Sequence, residues 1–250
     1  MKALVLSAGG MFGAYQAGVW EGLAEWFKPD IVVGTSIGAL NGWAIAGGCP
    51  ARELVKRWQH LADLCAWRVR WPWPPYSGLL DCSRFEKLVR EMHCAYRPAV
   101  RYGVVLTELA RLKSRLFSED VEWQHLAASC AVPGLFRQQC IGGRLYTDGG
   151  LLDSLPLWAA QELGAKQILA VQVMPRMPSF VVRTFVSGVR SVVGKTPRPN
   201  GNVQVVTIGP QEPIGRTRDM IEWKRDLALR WIDAGRSEAI AKKQFLQQMF

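Results

Sequence analysis

The stretch "DIVVGTSIGALNGWAIAGG", residues 30–48, decides the fold because it combines a strand, a sharp turn and a helix. The apolar run at residues 31–33 predicts a buried strand. Residues 37–46 are mostly small or apolar, which predicts a helix buried nearly all round. A strand that leads through a tight turn into a buried helix is typical of an α/β protein.

The turn between these elements has the Gly-x-Ser-x-Gly pattern of a nucleophile elbow, with Gly34 and Gly38 on either side of Ser36. Glycines let the backbone turn sharply, which leaves the serine in a strained and exposed conformation. Its Oγ would lie at the N-terminus of the following helix, whose dipole stabilises negative charge. An ordinary strand–helix turn with a capping serine is the alternative, and the flanking strand and helix favour the elbow.

An earlier stretch, "LSAGGMFGAYQAGV" at residues 6–19, repeats the order of strand (3–6), glycine turn and helix (14–26). Bare backbone N–H groups at such a turn suit an anion, either a nucleotide phosphate or a reaction oxyanion. A dinucleotide site would need glycine where Ala8 stands, and its acidic residue should follow a strand, whereas Asp30 precedes one. We therefore favour an oxyanion hole near Ser36 and keep nucleotide binding as a lower-ranked alternative.

A serine nucleophile needs a base, and no histidine follows His125 to complete the Ser, acid, His order of α/β hydrolases. Asp148, in "LYTDGG", is the better candidate because Gly149 and Gly150 let the chain pass close to another element. A hydrogen-bonded carboxylate can deprotonate serine directly if the oxyanion is well stabilised. A surface Asp-Gly-Gly turn is the alternative interpretation.

The rest of the chain continues to alternate strands with helices, which predicts an α/β class with a largely parallel sheet in a single domain, residues 1–250. The pattern predicts a break near Gly235 in the last helix. The further predicted strands are 104–107, 145–146, 167–173 and 203–208, and the further helices are 52–65, 121–131, 157–163 and 219–250.

Composition limits the function classes. With 250 residues, 49% hydrophobic and 21% charged, the chain can bury a substantial core. No apolar stretch approaches the ~20 residues that span a bilayer, and no signal peptide is recognisable, so we expect a cytoplasmic protein. The six cysteines and three histidines (His60, His93 and His125) lack metal-ligand spacing. The net charge of +10 and pI near 9.6 favour anionic partners.

Three segments together resemble the patatin-like phospholipase family: "SAGGMFGAYQAGVWEGL", "VVGTSIGALNG" and "LYTDGGLLDSLPL". "AASCAVPGLF" also resembles the segment before the family's aspartate. The resemblance implies a three-layer sandwich around a mainly parallel sheet, and hydrolysis of phospholipid or other acyl esters through an acyl-enzyme, without metal or cofactor. It makes Ser36 the nucleophile and Asp148 the base of a Ser-Asp dyad, and it assigns the oxyanion hole to the amides of Gly9, Gly10 and Met11.

The chain departs from the family pattern at two positions of the glycine loop. Ala8 stands where a glycine is usual, and Phe12 stands where Arg or Lys is usual. Loss of that cation motivates an alternative function, a catalytically weak lipid-binding or scaffolding relative. The glycines expected to shape the motifs are Gly13, Gly34, Gly38, Gly149 and Gly150.

Two further segments suit an anionic membrane surface. Residues 67–78 alternate tryptophans with prolines after two arginines, and residues 179–195, as a helix, would separate valines from arginines. Either segment could instead pack on the core. We expect a lipid or acyl-ester substrate and peripheral contact with anionic membranes. No nucleic-acid module is recognisable, so nucleic acid is not an expected partner.

Overall fold

A mixed eight-stranded sheet forms the centre of the computed structural model, which describes residues 1–61, 69, 71, 74–174, 201–222 and 224–250. Its central strands are runs of Val, Ile, Leu and Ala that are buried on both faces, as parallel strands are. The strands are β1 (Lys2–Leu6), β2 (Ile31–Thr35), β3 (Arg101–Glu108), β4 (Lys113–Phe117), β5 (Gln139–Ile141), β6 (Arg144–Asp148), β7 (Gln167–Val171) and β8 (Gln204–Ile208).

The sheet has a parallel part and an antiparallel extension. Its order is β5-β6-β3-β2-β1-β7-β8, and the five strands from β3 to β8 in this order are parallel. β4 and β6 pair antiparallel with β3, and β5 pairs antiparallel with β6. The predicted α/β class with a largely parallel sheet is confirmed, whereas the short strands β4 and β5 escaped prediction because their sequences are mixed in polarity.

Alternating side chains divide the core into two layers. Leu4, Leu6 and Val32 point to one face of the sheet, where they pack with the buried residues of α1 to α5 and α7. Ala3 and Val5 point to the other face, against α6. The predicted three-layer arrangement is therefore present. The helices are α1 (Gly13–Leu23), α2 (Ile37–Ala46), α3 (Ala51–His60), α4 (Ser83–Ala95), α5 (Trp123–Ser129), α6 (Leu157–Glu162), α7 (Arg225–Ala241) and α8 (Lys243–Met249).

The predicted break near Gly235 is wrong, because α7 continues through this residue to Ala241. A Cβ at position 235 would lie 2.2 Å from the carbonyl oxygen of Tyr15, and one at Gly18 would lie 2.0 Å from that of Ile232. These glycines therefore allow α7 and α1 to pack backbone against backbone. The helix also begins six residues later than predicted, at Arg225 instead of Asp219, after a 3-10 turn at Thr217–Met220.

The two segments predicted to suit a membrane surface are described only in part. Residues 179–195 lie outside the described residues, and the stretch 67–78 is described at positions 69, 71 and 74–78. Of the helices that the structure describes, none combines the length and the apolar character needed to cross a bilayer.

Candidate active site

The turn between β2 and α2 holds Ser36 in a conformation that non-glycine residues rarely adopt, with φ 55° and ψ −129°. Tight packing surrounds it. A Cβ at Gly34 would lie 2.2 Å from the carbonyl oxygen of Gly38, and a Cβ at Gly38 would lie 2.4 Å from that of Leu6. The backbone strain at Ser36 is thus imposed by a turn that only these glycines allow, as in a nucleophile elbow.

Sheet pairing brings Asp148 to the end of β2. β2 and β4 pair with overlapping parts of β3 and so lie on its opposite edges. β4 and β6 both pair with residues 106–108 of β3, so these two strands lie on opposite edges of β3. β6 therefore lies on the same edge as β2, directly beyond the end of β2. Thr35 pairs with Val105, and Asp148 pairs with the next residue, Leu106. The last residues of β2 and β6 therefore meet end to end.

The two side chains form a short hydrogen bond at this junction. Ser36 Oγ donates to Asp148 Oδ2 at 2.6 Å, and both residues are only 6% exposed. The second carboxylate oxygen, Oδ1, accepts from the backbone N–H of Gly150 at 2.7 Å. The carboxylate is therefore fixed in orientation, with one oxygen held by backbone and the other facing the hydroxyl.

Burial makes this carboxylate a stronger base than an ordinary aspartate. It raises the pKa of Asp148 from 3.8 to about 6, although the hydrogen bonds from Ser36 and Gly150 act in the opposite direction. A group with this pKa is largely ionised at neutral pH and binds a proton more readily than an exposed carboxylate.

Two hydroxyl side chains that sequence reasoning missed fix the backbone around the dyad. Ser129 Oγ accepts from the N–H of Ser36 at 2.8 Å and donates to the carbonyl of Val105 at 2.9 Å. Thr107 Oγ1 donates to the carbonyl of Asp148 at 3.0 Å. Ser129 lies in the segment "AASCAVPGLF", so the family resemblance marked its neighbourhood but not its role.

The glycine loop after β1 lies against both halves of the dyad. A Cβ at Gly38 would lie 2.6 Å from the carbonyl oxygen of Ser7, and a Cβ at Gly150 would lie 2.8 Å from Cβ of Ala8. The loop therefore passes between the start of α2 and the turn after Asp148. Ala8 has no positive φ, so its side chain adds no backbone strain where the family usually has glycine.

The loop offers backbone donors. Gly10 has φ 54° and starts a short 3-10 helix, Gly10–Phe12, that leads into α1. The N–H groups of Gly9, Gly10 and Met11 donate no hydrogen bond to any other residue that the structure describes. A Cβ at Gly9 would lie 2.3 Å from Val173 Cγ2, so this position has no room for a side chain. Such a run of unpaired amides is suited to an anion.

Phe12, which replaces the usual cation, is a core residue. It is 2% exposed and packs edge to face on Trp231 of α7, with ring centroids 5.0 Å apart. The loop is thus anchored to α7 by an aromatic contact.

A buried polar network ties the glycine loop to α1, α2 and α3. Gln16 donates to the carbonyl of Ser7 at 2.7 Å. Asn41 donates to the carbonyl of Gly13 and to Gln16 Oε1, both at 2.9 Å, and accepts from Trp58 Nε1 at 2.9 Å. The network fixes the loop relative to the helix that follows Ser36. Sequence reasoning missed it because the partners are far apart in the chain.

The histidines have other partners. His125 Nδ1 accepts from the N–H of Glu122 and caps α5, and burial lowers the pKa of its ring. His93 stacks on Trp43, and His60 is exposed at the end of α3. Within the described ranges, no group of three or more His, Cys, Asp and Glu side chains is arranged to hold a metal ion.

An apolar pocket is lined by Ile37, the residue after Ser36, and by residues of α3 and α4. It is a small cavity of about 20 Å³ between α2, α3 and α4. Arg57 is the charged residue in its lining, and most of the remainder is apolar. The apolar lining includes Ile37, Leu40, Leu54, Leu61, Leu88 and Met92.

A protein-family model described as Patatin-like phospholipase matches residues 4–160, more than half of the chain. The chain belongs to the patatin-like phospholipase family. The match includes the glycine loop, the Ser36 elbow and the Asp148 turn, the three segments on which the resemblance was based. The predicted family is therefore confirmed.

Curated relatives are much longer proteins. Patatin-like phospholipase domain-containing protein 7 of Rattus norvegicus is 28% identical over 186 residues, which are 70% of this chain and 14% of the relative. Lysophospholipase nte1 of Aspergillus terreus is 29% identical over 187 residues, which are 68% of this chain and 12% of the relative. The patatin-like chain thus corresponds to a small part of each.

Solved structures share the fold at low sequence identity. VipD from Legionella pneumophila superposes with a TM-score of 0.57 at 17% identity, covering 99% of this chain and 67% of that one. The type III effector protein ExoU gives a TM-score of 0.50 at 15% identity, covering 97% of this chain and 52% of that one. These likenesses extend the shared architecture beyond residue 160.

Proposed function

We propose that this patatin-like protein is a serine acyl hydrolase that cleaves carboxylic esters of phospholipids or related lipids. The observation that carries the proposal is the 2.6 Å hydrogen bond between the buried Asp148 carboxylate and Ser36, a serine held at positive φ. This pairing of a strained hydroxyl with an adjacent base is the arrangement that activates a nucleophile. We further propose that residues 1–250 act as one domain, since α7 packs closely on α1.

In the acylation step, Asp148 Oδ2 takes the proton of Ser36 as Oγ attacks the ester carbonyl carbon. The carbonyl oxygen becomes an oxyanion, which the N–H groups of Gly9, Gly10 and Met11 stabilise. The tetrahedral intermediate then collapses. The carbon–oxygen bond to the alcohol breaks, the proton on Asp148 passes to the departing alkoxide oxygen, and an acyl ester remains on Ser36.

In the deacylation step, Asp148 removes a proton from a water molecule that attacks the acyl carbon. The same amides stabilise the second oxyanion. When the intermediate collapses, Ser36 Oγ leaves and regains the proton from Asp148, and the fatty acid is released. Asp148 accepts one proton and returns one proton in each step, so the cycle requires neither a metal nor an organic cofactor.

The apolar pocket after Ser36 supports an acyl chain as the recognised part of the substrate. Ile37 follows the nucleophile directly and lines the pocket. The cavity of about 20 Å³ is too small for an acyl chain as it stands, so an acyl chain bound to Ser36 would have to part α2, α3 and α4 to lie against this apolar lining. The name of the A. terreus relative contains lysophospholipase, so a single-chain phospholipid belongs in the substrate panel beside diacyl phospholipids and simpler esters.

Covalent labelling of the intact protein with a fluorophosphonate tests the proposal. We expect one adduct on the unchanged chain and none on Ser36→Ala, with loss of ester hydrolysis by about 10⁴-fold or more in that variant. If the wild-type protein folds but is not labelled, the result would instead favour the alternative function motivated by Phe12, a catalytically weak, lipid-binding relative. Retained hydrolysis by Ser36→Ala would exclude Ser36 as the nucleophile.

A further inference from the structure

We propose that a surface beside the active site docks on the face of an anionic phospholipid bilayer. The docking surface has an apolar part, the strap formed by Val69, Trp71, Tyr76 and Leu79, and a basic part, the arginine cluster formed by Arg111, Arg115 and Arg144 with Lys113. The inference deepens the proposed function, on which it rests, because it names the residues that would bring the dyad to a lipid surface.

The strap exposes large apolar side chains. Val69 is 80% exposed and Trp71 is 85% exposed, and Tyr76 and Leu79 also rank among the exposed large hydrophobic residues. Side chains of this size facing water together on one segment mark an interaction surface. The sequence left packing on the core as an alternative for this stretch, and Val69 and Trp71 do not pack there.

Hydrogen bonds join the Tyr76 and Leu79 part of the strap to a loop that also reaches Asp148. Its backbone pairs with the loop after α5, since Leu79 N–H donates to Gly134 and Gln138 N–H donates to Tyr76, at 3.0 and 2.9 Å. The same loop begins at Ala131, whose carbonyl accepts from the N–H of Asp148 at 3.0 Å. The strap and the catalytic base are thus attached to one loop.

The arginine cluster surrounds one buried carboxylate. Glu108 is 1% exposed and accepts from Arg115 Nε at 2.8 Å and from Arg111 Nη1 at 2.9 Å, with Arg144 Nη1 at 3.6 Å. Burial alone would raise the pKa of Glu108, but the hydrogen bond from Arg115 and the charges of the three arginines lower it. Glu108 is therefore ionised at neutral pH.

The cluster carries more positive charge than its carboxylate neutralises. Three guanidinium groups share one Glu108, and Lys113, directly opposite Glu108 in the β3–β4 ladder, is an exposed fourth cation. The arginine side chains are themselves 41–50% exposed. A buried acidic residue needs one or two partners, so the surplus cations remain for an anionic partner.

The cluster also lies on the catalytic edge of the sheet. β3 runs parallel to β2 and extends beyond it, and Glu108 is near the far end of β3. Arg144 precedes Asp148 by four residues on β6, roughly 13 Å along the strand. The cations thus lie beyond the dyad, at the carboxyl end of the parallel strands.

A bilayer explains both parts of the docking surface better than a protein partner does. Tryptophan and tyrosine side chains are favoured at the headgroup level of membranes, and arginines and lysines attract anionic lipid. A lipid substrate would have to be taken from such a surface. The chain's net charge of +10 acts in the same direction.

Vesicle sedimentation tests the proposal, with Ser36→Ala as the parent so that lipid is not consumed and binding is measured independently of catalysis. The vesicles are phosphatidylcholine with or without phosphatidylglycerol. For Lys113→Gln/Arg144→Gln we expect about 25-fold weaker binding to anionic vesicles, roughly fivefold per cation, and a smaller salt dependence. For Trp71→Ser we expect about tenfold weaker binding to both vesicle types.

Matched controls come from the opposite end of the parallel strands, their amino ends, and from α8. Lys28 and Lys166 precede β2 and β7, and Phe245 is an exposed aromatic residue of α8. Lys28→Gln/Lys166→Gln and Phe245→Ser should bind vesicles as the parent does. Equal losses in the controls would overturn the proposal in favour of general charge and hydrophobicity, and unchanged binding by both test variants would overturn it as well.

A soluble short-chain ester separates docking from catalysis. In chains that keep Ser36, Lys113→Gln/Arg144→Gln and Trp71→Ser should hydrolyse it at the unchanged rate. Vesicle binding that follows these predictions in a chain without hydrolase activity would support the docking surface and contradict the proposed function. If the parent binds no vesicles and a protein is captured through Trp71, the membrane proposal is overturned and the docking surface is assigned to a protein partner.

Discussion

The parallel part of the sheet and its antiparallel extension make different contributions to the site. β1 and β2 are buried and apolar, and each is followed by a turn that holds backbone in position: the glycine loop after β1 and the Ser36 elbow after β2. The extension, β4 to β6, contains the charged groups, because Asp148 ends β6 and Glu108 lies where β3 pairs with β4 and β6. The first part provides geometry. The second provides charged groups, of which the ionised Asp148 carries a cost in folding free energy, since burial raises its pKa.

This difference predicts opposite effects on stability and activity in Asp148→Asn. We expect kcat/KM to fall by about 10⁴-fold, because Asn cannot accept the serine proton. Stability should increase, because the folded chain raises the pKa of Asp148 from 3.8 to about 6. Ionisation of Asp148 therefore costs stability as the pH rises from 3.8 toward 6, by about 3 kcal/mol at neutral pH.

Urea unfolding at pH 7 and at pH 5 measures this effect. Asp148→Asn should exceed the unchanged chain in stability at pH 7, and the gap should narrow at pH 5, where Asp148 is mostly protonated. The matched control is Asp233→Asn on the exposed face of α7, which should change neither kcat/KM nor the free energy of unfolding. A loss of stability in Asp148→Asn would contradict the assignment of buried, strained charge to the antiparallel extension.

The parallel part is tested at the network behind the glycine loop. Gln16→Met keeps the side-chain volume but removes the bonds to Ser7 and Asn41, so the loop amides lose their fixed position. We expect kcat to fall by about 100-fold with KM changed by less than about threefold. Trp58→Phe, which removes the outermost bond of the network, should lose about tenfold in kcat. An unchanged kcat in a less stable Gln16→Met would reduce the network to a purely structural role.

The smallest effect on activity is expected at His125. Its ring caps α5, so His125→Ala should lower stability by about 1 kcal/mol and leave kcat/KM within about twofold. Steady-state hydrolysis of a short-chain ester and thermal unfolding check the two expectations. A loss of activity as large as that of Ser36→Ala would mean that histidine, and not Asp148, is the base.

The same contrast explains what the sequence could predict. The elbow and the glycine loop are largely local, because Gly34 is required by its close approach to Gly38 in the same turn and Gly10 by its positive φ, so their pattern is readable. Ser129 and Gln16 act through partners on other elements, which no local pattern records. The prediction at Gly235 was wrong because the sequence alone does not distinguish a glycine that permits close helix packing from a glycine that ends a helix.

The pH dependence of fluorophosphonate labelling tests the Ser36–Asp148 dyad most directly. Labelling requires the ionised base, so the rate should rise with pH and reach half its maximum at about pH 6, the pKa of Asp148. Asp148→Asn should label slowly and without this step, and Ser36→Ala should not label at all. A step that persists in Asp148→Asn, or an adduct on Ser36→Ala, would contradict the account.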